Sequence, residues 1–337
     1  MLVGLIAECA CGARSDLGAG GSAEEPTVAG GHPAHSGEGA SGGSGGFGAA
    51  SCVPATSDSF DPREVYFIGT TAPSSSSNDV VAHWCDSEIG VAGFDFGASG
   101  FAIRPTDGRL IRYEISPNGF FEFHCDTCPF TSATPYPEDS WLNDIPIPTP
   151  GCDQVRGILM SPEGEIVTQC GDDPPIYLSS AGDVLYPAAD SVDPILLHIG
   201  SGGVGLTESF VVDLSTGVST PIVGLPEGLR GAARAAEDDG FWVTRAHEGV
   251  MSLFHITGGG TATLVGDYSP PPSSVFVSED LAWLGALDAE HRFFEVGEYL
   301  GESVILRRDL SGVSEVVHDD GADPLIKLGG WMLVTGP

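Results

Sequence analysis

The chain has 337 residues, of which 41% are hydrophobic, and a formal net charge of −34 from 47 acids against 13 bases. A surface of this sign repels phosphate backbones and anionic headgroups, so nucleic acid is excluded as a partner and direct adhesion to acidic lipid is disfavoured. No run of eighteen apolar residues occurs, so no helix is expected to span a membrane.

The first segment reads MLVGLIAECACGARSDLG. Its apolar run LVGLIA is shorter than an ordinary signal core, and no basic residue precedes it. A short apolar run meeting a cysteine resembles the end of a bacterial lipoprotein signal. The stretch CGARSDL resembles the mature start of surface lipoproteins from high-GC Gram-negative bacteria. The resemblance implies a lipid on Cys11, with Ala10 as the small residue before it. Glu8 departs from the aliphatic residue such signals carry, and it argues against Cys9, which it would directly precede. Residues 1–16 are therefore expected to be a leader remnant and anchor, with the true start codon upstream. A soluble N-terminus is the alternative.

Residues 18–48 contain 12 glycines and a single aromatic, Phe47. Such a stretch buries too little apolar surface to offset its ordering entropy. Residues 17–58 are expected to form a disordered Gly/Ser-rich tether with a reach of roughly 35 Å. His32 and His35 in this tract give no metal signal.

From residue 59 to 337 the pattern is one of short apolar strands broken by Gly, Pro, Asp and Ser. A hairpin pattern recurs as LIRYEISPNGFFEF, PIYLSSAGDVLYP, FVVDLSTGVSTPIV, SLFHITGGGTATLV and VILRRDLSGVSEVV. Alternating apolar positions flank a glycine turn each time. A preceding strand recurs as GFAIRP, EIVTQC, FWVTRA, LAWLGA and WMLVTG, with Trp242, Trp283 and Trp331 in it. The stretch LRGAARAAEDD is the one that reads most like a helix. Units of four strands every 30–50 residues match the blades of a β-propeller. Blades are expected near 90–123, 155–187, 195–223, 230–265 and 275–317. A sixth would join PLIKLGG and WMLVTGP to EVYFIGT and VVAHWCD. The expectation is an all-β propeller of six blades, with seven or a pair of β-sandwiches as alternatives. The body resembles the broad class of bacterial extracytoplasmic propeller lipoproteins, a likeness of blade pattern and not of a diagnostic motif.

Residues 124–152 form a Cys/Pro-rich insertion with six prolines and three cysteines. Tyr136 and Trp141 in it are candidate contact residues for a ligand, since aromatics supply area at low entropic cost. The pair Cys125 and Cys128 reads as a redox couple, half of a zinc site with Cys152 and Cys170, or two disulfide cysteines. Six body cysteines behind a leader-like start favour disulfides among Cys52, Cys85, Cys125, Cys128, Cys152 and Cys170, with the connectivity open and no metal expected. The matched runs QVRG and GLRG put Arg156 and Arg230 at the start of channel-lining strands. With Lys327 they make a candidate cationic ring for a carboxylate or phosphate.

No nucleophile elbow, HExxH or Walker loop is present. The favoured reading is a monomeric, lipid-anchored module of the cell envelope, periplasmic or surface-exposed. It would bind an envelope protein, a glycan or a small anion, with any cofactor unknown. The alternative is a hydrolase, lyase or dehydrogenase with an acidic substrate in the central channel.

Overall fold

The structure is a computed structural model that describes residues 60–71, 79–85, 88–95, 100–115, 118–122, 145–147, 155–171, 174–187, 193–226, 231–247, 250–277, 285–319 and 326–337. The expected anchor, tether and the sites at Cys11, Cys52, Cys125, Cys128, Tyr136, Trp141, Cys152 and Arg230 lie outside these residues.

Every long element is a strand. In chain order come β1 (Val65–Thr71), β2 (Asp79–Cys85) and β3 (Glu88–Asp95), then β4 (Gly100–Ile103), β5 (Leu110–Ile115), β6 (Asn118–Glu122) and β7 (Ile145–Ile147). Next are β8 (Val155–Met160), β9 (Ile166–Cys170), β10 (Ile176–Leu178) and β11 (Val184–Tyr186), followed by β12 (His198–Ile199), β13 (Val204–Leu206), β14 (Phe210–Asp213) and β15 (Ser219–Pro221). The rest are β16 (Ala233–Ala235), β17 (Phe241–His247), β18 (Val250–Ile256) and β19 (Ala262–Asp267), then β20 (Ala286–Leu287), β21 (Phe293–Tyr299), β22 (Glu302–Arg308), β23 (Ser314–Asp319) and β24 (Ile326–Thr335). For β2, β3, β6, β7 and most of β24 only the backbone is described.

These strands pair into six four-stranded antiparallel sheets: β4–β7, β8–β11, β12–β15, β16–β19, β20–β23, and β24 with β1, β2 and β3. The first strands of the sheets touch one another in the cyclic order β24, β4, β8, β12, β16, β20 and back to β24. Sheets standing around an axis on their first strands make an all-β β-propeller. The last strand closes the ring: β24 pairs antiparallel with β1, from Val65 opposite Thr335 to Thr71 opposite Ile326. That closure removes the free edge an open array would leave.

The apolar residues of each sheet pack on the face of the next. Ala102 and Ile111 meet Val155, Met160 and Ile166. Val167, Tyr177 and Tyr186 meet Ile199 and Val212, and Leu206 and Val211 meet Phe241, Val243 and Ile256. Leu253 and Met251 meet Leu287 and Phe293, while Val65 and Phe67 meet Ala286, Phe294 and Ile305. Alternation in a strand thus serves two cores, one on each side of its sheet.

Several expectations change in detail. All five hairpins are present, but LIRYEISPNGFFEF is the middle pair β5–β6 of its sheet, whereas the other four are outer pairs. GFAI is an innermost strand, while IVTQC and FWVTRA are second strands. The closing sheet takes three strands from the N-terminal side and one long strand, β24, which absorbs both C-terminal segments. Period-2 patterning marks strands but carries no signal of distance from the axis, which is why the phase slipped in the β4–β7 sheet and the closing sheet, while the other four expected blades match. The helix-like stretch LRGAARAAEDD supplies the innermost strand β16. Gly231 just before it allows this: a Cβ there would meet the Thr244 carbonyl oxygen at 1.6 Å. Residues 145–147, inside the expected irregular insertion, are strand β7, paired with β6.

Candidate functional site

One turn design recurs in several sheets. A polar side chain accepts the N–H four residues on, and a glycine with positive φ stands third. Ser161 accepts from Glu165 at 3.1 Å with Gly164 at φ 86°, in the turn from β8 to β9. Outer turns repeat it: Ser179 accepts from Asp183, and Asp309 accepts from Val313, with Gly182 and Gly312 at positive φ. The β20–β21 turn keeps the acceptor, Asp288 taking the Arg292 N–H at 2.8 Å, but puts His291 in the glycine place at φ 63°. In the β16–β17 turn Asp239 has φ 60°. Side chains rarely adopt this backbone, and such outliers concentrate at working sites.

Both turns border a cup of about 670 Å³. It lies where innermost strands end: Pro162 follows β8, Ser201 follows β12, Ala236 to Asp238 follow β16, Ala289 and His291 follow β20, and Pro337 follows β24. Its aromatic wall is Trp242, at the start of β17, with the His255 ring 4.6 Å and the His291 ring 4.3 Å from it, centroid to centroid. His255 Nε2 lies 3.0 Å from Asp238 Oδ1. Burial and the nearby Arg234 charge lower the His291 pKa, favouring neutral imidazole, and its Nδ1 is buried without a hydrogen-bond partner.

Arg234, in β16, also lines this cup and is only 8% exposed. Its Nη1 donates to Thr335 Oγ1 at 2.8 Å, to the Gly336 carbonyl at 3.2 Å and to the Leu287 carbonyl at 3.5 Å. Nη2 donates to the Pro62 carbonyl at 3.0 Å. One guanidinium therefore joins the chain just before β1, the end of β24, and β20. Every acceptor is neutral. The nearest acids are engaged elsewhere, Asp288 with Arg292 and Asp61 with Arg63.

A second cavity, of about 170 Å³, lies along the axis among the innermost strands. Phe101, Ala102, Ile158, Leu159, Met160, Ala233, Ala286 and Leu333 line it, together with His198. Desolvation, with the Arg234 charge as a lesser cause, pulls the His198 pKa down to about 4. Its Nε2 has no hydrogen-bond partner.

The expected residues are scattered. Arg156 is the second residue of β8, partly buried beside a bulge, and lines neither cavity. Lys327 lies in β24 opposite Thr70, and its side chain is not described. Cys85 ends β2, and Cys170 ends β9 and is disulfide-bonded. Among the described residues no cluster of three or more His, Cys, Asp or Glu could hold a metal. Arg234, Trp242 and His291 were missed as site residues. A signal existed for each: an arginine set among alanines in GAARAA, a tryptophan in a recurring strand, and a histidine where matched turns carry glycine.

No protein-family model matches the chain, and no curated protein matches it. Among solved structures it is similar to virginiamycin B lyase from Staphylococcus aureus, at 13% identity and a TM-score of 0.37 over 77% of this chain and 86% of that one. It is similar to the β-propeller domain of the trilobed protease from Pyrococcus furiosus, at 10% identity and a TM-score of 0.36 over 77% of this chain and all of that one. TolB from Acinetobacter baumannii matches at 12% identity and a TM-score of 0.31, over 75% of this chain and 52% of that one. Likenesses this distant say nothing of what this chain binds.

Proposed function

We propose that this protein is a ligand-binding module of the cell envelope, built as a closed six-bladed propeller and held by a lipid on Cys11 through its glycine-rich tether. The cup at the ends of the innermost strands is its binding site. One observation carries this reading: two strained turns and a partly buried tryptophan converge on an open cavity of about 670 Å³, within the usual size of small-ligand sites. Structure that needed only stability would put glycine at position 291. The cyclic contacts of the innermost strands support six blades. The composition of the tether and the leader-like start support the anchor. Disulfides among the remaining body cysteines suit such a compartment, and Tyr136 and Trp141 remain candidates for a second contact surface.

A thermal-shift screen of envelope glycans and small metabolites tests the module. Hits that raise the unfolding midpoint of the wild type and not of Trp242→Ala support it. Hits that persist in Trp242→Ala place binding elsewhere and refute the cup. Incorporation of labelled palmitate that is lost in Cys11→Ser tests the anchor, and equal labelling refutes it.

A further inference from the structure

Arg234 is the odd charge of the molecule. The chain carries 47 acids against 13 bases, yet this guanidinium, nine-tenths buried, makes no ion pair. A buried charge ordinarily stays charged beside a counter-charge. A guanidinium has five N–H donors. The two on Nη1 and one on Nη2 are used on neutral oxygens of the ring closure, while Nε–H and the second Nη2 hydrogen make no hydrogen bond. Nε and Nη2 form the side edge of the guanidinium, the edge that takes both oxygens of a carboxylate at once. The cup is the cavity that Arg234 lines.

Resting on the reading of the cup as a binding site, we infer that it takes a small carboxylate carried on a six-membered ring, with the carboxylate on the side edge of Arg234 and the ring on Trp242. Trp242, with the two imidazoles tilted 42° and 44° against it, supplies an aromatic wall for a ring. Glu237 and Asp238 at the rim repel polyanions and so select a single negative charge. His291 positions Trp242 from its strained turn. The ring is either aromatic, as in an aryl acid, or the CH face of a uronic acid.

Calorimetric titration of the full chain at pH 7 with benzoate, benzamide, glucuronate and glucose tests this. At least one acid is expected to bind ten times more tightly than its neutral counterpart, and the acid that does so names the source. Trp242→Ala and His291→Gly are each expected to weaken that acid tenfold or more, with the unfolding midpoint of His291→Gly not reduced. Benzamide or glucose binding as tightly as its acid, and lost in Trp242→Ala, overturns the carboxylate and leaves the cup standing. Acid binding untouched by both substitutions overturns the cup as well. Failure of both acids to bind overturns the inference.

Discussion

Two cavities lie close together on this ring and obey opposite rules. The axial cavity is narrow, lined by alanine and aliphatic side chains, and its one titratable group, His198, is held neutral. The cup is four times roomier and keeps a charge, Arg234, that no side chain neutralises. Pro337 borders both. The comparison teaches that the axis of this propeller is core, packed for stability, while polar and strained features are gathered at the strand ends. Charge is tolerated there because the carbonyls of Pro62, Gly336 and Leu287 accept the guanidinium's hydrogen bonds.

The largest effect is expected where the two regions share a support. Arg234→Met strips a donor from those carbonyls and from Thr335, although the Pro62 oxygen keeps the Gly336 N–H at 3.1 Å. The expected loss is about 3–5 kcal/mol in urea unfolding at pH 7. Hydrogen exchange should rise first along β24 and β1 and later in β8 and β9, because the guanidinium joins the segment before β1 to the end of β24. A loss below about 1 kcal/mol, or uniform exchange, would show that Arg234 is no latch.

His198 gives the next effect and belongs to the axial cavity alone. Its folded pKa of about 4 lies below the ordinary 6.5. The folded state therefore prefers the neutral ring, and this contribution is complete above pH 6.5 and lost as pH falls through 4. At 1.36 kcal/mol for each unit, wild type should lose about 3 kcal/mol across that window relative to His198→Leu. Parallel stability curves for the two proteins would refute a buried neutral histidine.

Much of this arrangement was legible in the residues, and the parts that were not have physical reasons. The hairpins showed because a two-residue period and a glycine turn are local properties of PIYLSSAGDVLYP or SLFHITGGGTATLV. Ring closure showed because both ends of the body carry unmatched strands. The phase of four blades showed, but that of the first and the closing blade did not, since innermost and outer strands alternate alike and differ only in what packs on them. GAARAA is rich in alanine, which favours helices, yet its match to QVRG marked it as a channel-lining strand. In β16 the same small side chains let innermost strands approach around the axis. The cup was hidden for a further reason. Arg234 and Trp242 are cross-strand partners in one hairpin, but His291 comes from the neighbouring sheet and joins them only through blade packing, which no spacing encodes.

Glu64 tests the strand-end region with the opposite sign from His198. Burial, with Asp61 adding to it, raises its pKa to about 7 from 4.5. Its contribution is complete below pH 4.5 and lost as pH rises through 7. Glu64→Gln should therefore stabilise the protein at pH 8 and change nothing at pH 4.5. Partial exposure reduces the expected gain to about 1 kcal/mol. A gain at both pH values would mean that the carboxylate does not titrate in this window.

The smallest effect is the one that separates use from stability most cleanly. His291 holds φ at 63° in a turn whose counterpart between β8 and β9 has Gly164 at 86°. Relieving a side chain of that backbone is worth up to about 1 kcal/mol, partly offset by the greater freedom of glycine in the unfolded chain. Contact with Trp242 is lost in exchange. His291→Gly should thus unfold at the wild-type urea concentration or slightly above it, an outcome that core substitutions almost never give. If it instead loses 2 kcal/mol or more, the imidazole is a structural plug, and the strain at residue 291 belongs to packing. If stability holds while Trp242 emission changes, the turn is strained to place a ring at the cup, and the division between an axis kept for stability and strand ends kept for binding stands.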